Sequence, residues 1–168
     1  MLSEAIRLTL FPAMMAFAAS SDLLTMTIAN RVSLILIGGF VLLAGLGGMS
    51  GPELLPHVGA AAAVLAAAFV CFAFGWVGGG DAKLAATSAL WLGFGHLFDY
   101  LIFASVLGGG LTLLIVQFRA LPLPRILAAQ DWVDRLHRPD GGVPYGIALA
   151  VAALIVYPQT EWMTLPPF

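Results

Sequence analysis

Gly78-Gly79-Gly80-Asp81-Ala82-Lys83-Leu84 decides how this chain is read. An apolar run from about Val58 to Val77 stops at the glycines, an aspartate and a lysine follow, and a second apolar run begins at once. Ionisable residues at the junction of two membrane-length segments are costly to place, so they stand as a functional-site hypothesis by default.

Working outward, the composition supports the membrane reading. Of 168 residues, 61% are hydrophobic and only 10% charged, and mean hydropathy is +0.99. A soluble domain carries roughly 25% charged residues. Long Val/Thr alternation is missing, which favours helices over a barrel. The expectation is an all-α, polytopic membrane protein: one transmembrane domain, 1–168, built as a bundle of about six transmembrane helices. Net charge is −2 and no basic tract is present, which argues against a nucleic-acid partner; the lipid bilayer is the expected surroundings. Cys71, the single cysteine, lies in an apolar run and reads as a small buried hydrophobe. Glu4 in the N-terminal region and the lack of a small-residue cleavage pattern argue against a secretory signal.

A span needs about 20 apolar residues. Six segments approach this: about Glu4 to Ala19, Val32 to Met49, Leu55 to Val77, Ala82 to Leu97, Tyr100 to Phe118, and Val143 to Tyr157. If they alternate across the bilayer, Arg31, Lys83, Arg119, Arg125, Arg135 and Arg138 fall on one face, which the positive-inside rule assigns to the cytoplasm. Only Arg7 falls opposite, and both termini lie outside. In the polar loop from about Arg119 to Gly142, Trp132 and Leu136 share a helical face that could rest on the membrane surface; an ordinary solvated loop explains them equally well.

Of the acidic residues, Glu4, Glu53, Asp99, Asp131, Asp134, Asp140 and Glu161 read as surface groups of small energetic value. Asp22 and Asp81 remain. Each alone has a plain structural explanation: a helix-terminal acid for Asp22, an N-cap of the fourth helix for Asp81. The pair favours chemistry, because both fall on the same face at similar depth. Carboxyls sharing a site do not readily both ionise, so one serves as acid while the other is base toward water. His57, His96 and His137 are scattered and read as structural; no metal cluster and no cofactor are expected. Gly78, Gly79 and Gly80 leave room for a close backbone approach or a positive φ beside the acid, though a plain turn explains them too. Gly108-Gly109-Gly110 reads as close helix packing.

These residues resemble a known family. Gly78-Gly79-Gly80-Asp81 fits the GxGD motif of intramembrane aspartyl proteases, and the longer string through Leu84 is similar to that of the type IV prepilin peptidases. Asp22 followed by Ile28-Ala29-Asn30-Arg31 resembles that family's first-aspartate segment, with Ala29 where proline is usual. Pro144-Tyr145-Gly146 resembles its C-terminal segment. Without the paired cysteines of the bifunctional members, the sequence is similar to the short, peptidase-only branch serving tight-adherence (Flp) pili, and methylation of the product is not expected.

The resemblance implies an aspartic endopeptidase of the bacterial inner membrane, with Asp22 and Asp81 catalytic. Its substrate would be a prepilin or pseudopilin: a basic leader, a glycine before the cut, and a hydrophobic helix with an early glutamate. Gly78, Gly79, Gly80, Lys83, Asn30 and Arg31 are candidate substrate-binding residues; surface snorkelling is the ordinary fate of such cations. Two other classes fit parts of the pattern. A small proton-coupled transporter would set its acids near the midplane of repeated halves. A non-enzymatic membrane subunit of a pilus or secretion assembly needs no pair of acids on one face.

Overall fold

The computed structural model describes residues 2–163, so both ends of the expected 1–168 domain lie outside the described residues, as do the side chains of Leu2, Ser3 and Arg125. The protein is all-helical, 83% helix and without strands among the described residues. Three helices are long and apolar enough to cross a membrane, and shorter apolar ones accompany them. It is an α-helical membrane protein. Large apolar side chains such as Leu34, Leu55 and Val106 stand exposed along the helices, as a lipid-facing surface requires.

Helix α1 (Leu2–Thr25) buries Arg7, Phe11, Met15, Ala18 and Asp22. Their spacing of three and four residues places them on one stripe. The periodicity that packs the core therefore also turns Asp22 inward. The helix extends further than the expected apolar end at Ala19 and holds Asp22 in its last turn, the helix-terminal place expected for that acid. Met26 stops the helix with a left-handed φ of 53°.

Helix α2 (Asn30–Leu46) returns across the bundle, and α3 (Gly51–Ala73) follows, opened by a reciprocal cap in which Glu53 accepts from the Ser50 backbone N–H at 2.6 Å. Only Ala60 of α3 is buried, so most of that helix faces outward.

Helix α4 (Gly79–Ala120) has 42 residues. Straight, it would be about 63 Å long, twice the hydrocarbon core of roughly 30 Å. It is not straight. Gly93 takes φ 66° and ψ 177°, a conformation close to glycine-only, and splits α4 into two arms. Contacts across the break show the chain doubling back: Tyr100 lies by Ser88, and the Ala104 carbonyl meets Tyr145, which stands in the field of Asp81. The two expected segments, 82–97 and 100–118, are these arms, but the junction falls at Gly93 and not at 98–99. Helix C-termini leave carbonyls without partners, and hydrocarbon supplies none. Just before Gly93, the Leu90 carbonyl accepts from His57 Nδ1 (2.8 Å) and the Trp91 carbonyl from Trp162 Nε1 (2.7 Å). His57 is thus a structural residue, as expected.

The first arm of α4 is the central element, buried almost continuously from Leu84 to Leu92. Small residues there, Ala85, Ala86, Ser88 and Ala89, let neighbouring helices approach closely. Helix α7 (Tyr145–Val156) packs on α4 and α1 with its own small buried face of Gly146, Ala148, Ala150, Ala152 and Ala153. Phe11, Tyr157, Trp91 and Trp162 interleave near Gly93, Phe11 stacking on Tyr157 at 4.5 Å.

Between α4 and α7 lie two short helices, α5 (Arg125–Ala128) and α6 (Asp131–His137). The face α6 buries is Val133 and Leu136, with Trp132 only half-buried, so the expected Trp132–Leu136 stripe is displaced by one residue. Asp134 pairs with Arg138 at 2.8 Å on the surface, in keeping with its reading as a salt-bridged surface acid.

Candidate active site

Asp22 and Asp81 come together at one end of the bundle. Asp22 belongs to the last turn of α1 and Asp81 to the first turn of α4, so both stand on helices rather than on loops. Asp22 is buried (5% exposed) and Asp81 half-buried. They are near enough that charge on Asp22 acts on Asp81, and charge on Asp81 in turn reaches Tyr145 and Tyr100.

Asp22 Oδ2 accepts the backbone N–H of Gly146 at 2.8 Å, a bond between residues 124 positions apart. That approach requires glycine. A Cβ on Gly146 would fall 2.8 Å from Asp22 Oδ2 and 2.6 Å from Ile28 Cδ1. Asp81 is not itself the N-cap. Gly78 holds that position, and Asp81, three residues on, reaches back to the Gly78 N–H.

Of the three glycines, none takes a positive φ; among the described residues those are Gly48, Gly75 and Gly93. The role of Gly80 is close approach: a Cβ there would lie 3.2 Å from Ile28 Cβ and 3.4 Å from the Ile28 nitrogen. Ile28 is therefore wedged between Gly80 and Gly146, and joins the two acid-bearing ends. The 26–29 segment that carries it is held by Ser21 Oγ and Thr25 Oγ1, which donate to the Thr27 carbonyl at 2.9 and 3.3 Å. Ala29 takes φ −68° and ψ 140°, a backbone that proline would also adopt.

The other candidates divide. Lys83 Nζ donates to Asn30 Oδ1 at 2.9 Å, which joins α4 to α2. Arg31 instead packs its guanidinium 5.8 Å above the Phe17 ring and is not brought to the acids. Gly108 does serve close packing, with the Tyr145 ring against it, while Gly109 and Gly110 face open space. Sequence reasoning left Ile28, Tyr145 and Gly146 out of the site. All three lay in recognised segments, Ile28 in the one that follows Asp22 and Tyr145 and Gly146 in the C-terminal one, but the resemblance assigned them no role. The Tyr100 hydroxyl is fully buried beside Ser88 and makes no well-formed hydrogen bond. Among the described residues, no group of three or more His, Cys, Asp or Glu side chains gathers at a spacing fit for a metal ion.

In a comparison with protein families, the model of the type IV leader peptidase family matches residues 9–113. The chain belongs to this family. Leader-peptidase membership makes it a membrane-embedded peptidase, a hydrolase. The matched region holds Asp22, Ile28 and the Gly78–Asp81 turn, and the leader-peptidase chain then brings Gly146, from beyond it, onto Asp22. No curated protein and no solved structure matches the chain.

Proposed function

We propose that this leader peptidase is an aspartic endopeptidase of the bacterial inner membrane. It removes the basic leader of a prepilin or pseudopilin of the Flp type, with Asp22 and Asp81 as the catalytic pair. The observation that carries the reading is the meeting of these two acids at one end of the bundle, where charge on Asp22 acts on Asp81.

One carboxylate takes a proton from a water molecule, and the resulting hydroxide attacks the carbonyl carbon of the scissile bond. The other, entering protonated, stabilises the developing oxyanion. Collapse of the tetrahedral intermediate breaks the C–N bond and delivers a proton to the departing amine. Gly80 and Gly146 carry no side chain, which lets Ile28 sit between them and draws together the helix ends that bear the acids. Lys83 and Asn30 are the proposed contacts to the mature part of the substrate.

Asp22→Asn and Asp81→Asn are each expected to abolish cleavage of a co-expressed prepilin while the protein still inserts. Normal processing by either variant, read as the shift between precursor and mature bands, would overturn the assignment.

A further inference from the structure

A groove runs between α2 and α3, which scarcely touch each other. Its first part, about 520 Å³, opens at Asn30 and Lys83 and passes Leu34, Ile37, Val58 and Leu65. A second part, about 460 Å³, shares Ile37, Val58 and Leu90 with the first and continues past Phe40 and Val41 to Met49 and Leu54. The first arm of α4 forms the floor through Ala86, Thr87 and Leu90.

Three properties constrain the occupant. The groove follows α2 from Asn30 to Gly45, a rise of about 22 Å at the helical repeat, which is most of the hydrocarbon thickness of roughly 30 Å. A lipid chain confined to one leaflet would fill only about two-thirds of that length. The walls are apolar and open to the side: Leu34 is 68% and Val41 63% exposed. Lys83 is the one charged residue along it, and it stands at the end where the two acids meet. It bonds only to a neutral amide, and no carboxylate among the described residues lies within ion-pair distance of it.

We propose that this groove seats the transmembrane helix of the peptide substrate, with Lys83 receiving an acidic side chain near the end of that helix next to the cleaved bond. The proposal rests on the peptidase reading above. Helices in lipid associate through close packing and polar contacts rather than through hydrophobic burial. A long apolar seat supplies the packing. A single charge pair at one end then fixes the register, because an unpaired cation or acid at membrane depth is costly. With that register set, the residues preceding the acid lie beside Asp22 and Asp81.

The test uses a designed precursor with a basic leader, a glycine, and an apolar helix that carries an early glutamate and one cysteine at its centre. The enzyme is a Cys71→Ser, Asp81→Asn form bearing a cysteine at Ile37 or Ala62 in the groove, or at Val106 on the outer surface of α4. Disulfide cross-linking in membranes is expected from Ile37→Cys and Ala62→Cys at least tenfold above Val106→Cys. Equal yields, or groove cysteines that stay unlinked as they would beneath resident lipid, overturn the proposal. In the Cys71→Ser enzyme with both acids intact, Lys83→Glu is expected to lower cleavage at least tenfold, and glutamate-to-lysine exchange in the precursor to restore it. Failure of that rescue also counts against the groove. Loss of the groove alone would leave cleavage dependent on Asp22 and Asp81; cleavage that survives Asp81→Asn would remove the peptidase assignment instead.

Discussion

A single backbone N–H governs how Asp22 is held. Gly146 donates it at 2.8 Å, and a methyl group at that position would collide with both Asp22 and Ile28. Gly146→Ala is therefore expected to insert normally but to lose cleavage. A hydrogen bond to a charged group contributes about 1.5–3 kcal/mol, which corresponds to roughly a ten- to hundredfold fall in rate; timed precursor processing measures it. Ala29 has the opposite character. Its φ of −68° already suits proline, and its N–H makes none of the described backbone hydrogen bonds. Ala29→Pro is expected to keep activity and to stabilise the protein by about 0.4–1 kcal/mol, seen as a higher melting temperature in detergent. At this scale the sequence made the acids legible because charge is so scarce: two carboxylates without nearby polar company stand out. Their supports did not stand out. A backbone N–H 124 positions away has no signature in composition or spacing, and Ile28, though inside a recognised segment, has no chemistry that marks it as a support.

Hydropathy located the helices well, because burying backbone polar groups in lipid leaves little choice but helix. It failed at one junction. Between 82 and 118 the chain holds glycines at 93 and 95 and an acid at 99, and nothing local says which of them turns the chain. Gly93 turns it because His57 and Trp162, from distant segments, take up the carbonyls released there. Asp99 consequently lies within the second arm and not at its start. Gly93→Ala is expected to be far more damaging than Gly95→Ala, which meets open space. At φ 66° and ψ 177° a non-glycine residue is strained by about 1–3 kcal/mol, and its Cβ would also press on the His57 ring at 3.2 Å. Folded yield and thermal stability of the two variants make the comparison.

Across the whole molecule, two of the basic residues expected on one face fasten the polar segment to the bundle. Arg119 donates to the carbonyls of Leu136, Gly141 and Gly142, each at 2.8 Å, and Arg135 donates to Leu24 at the end of α1. The polar 121–142 segment is thereby fastened to the same end of the bundle as Asp22 and Asp81. In Cys71→Ser protein, a cysteine at Asp140 is expected to react with an impermeant thiol reagent only after the inner face is opened, whereas one at Gln159 should react in intact cells. Labelling of both from outside would reverse the assigned orientation. Proteases cut where loop tips project into solvent. The reversal at Gly93 is made by one residue, so the far side of the membrane presents no tip between the two arms. Digestion from that side should leave the stretch from Gly79 to Ala120 in one piece, and any severed form of the protein will still carry both arms on a common fragment.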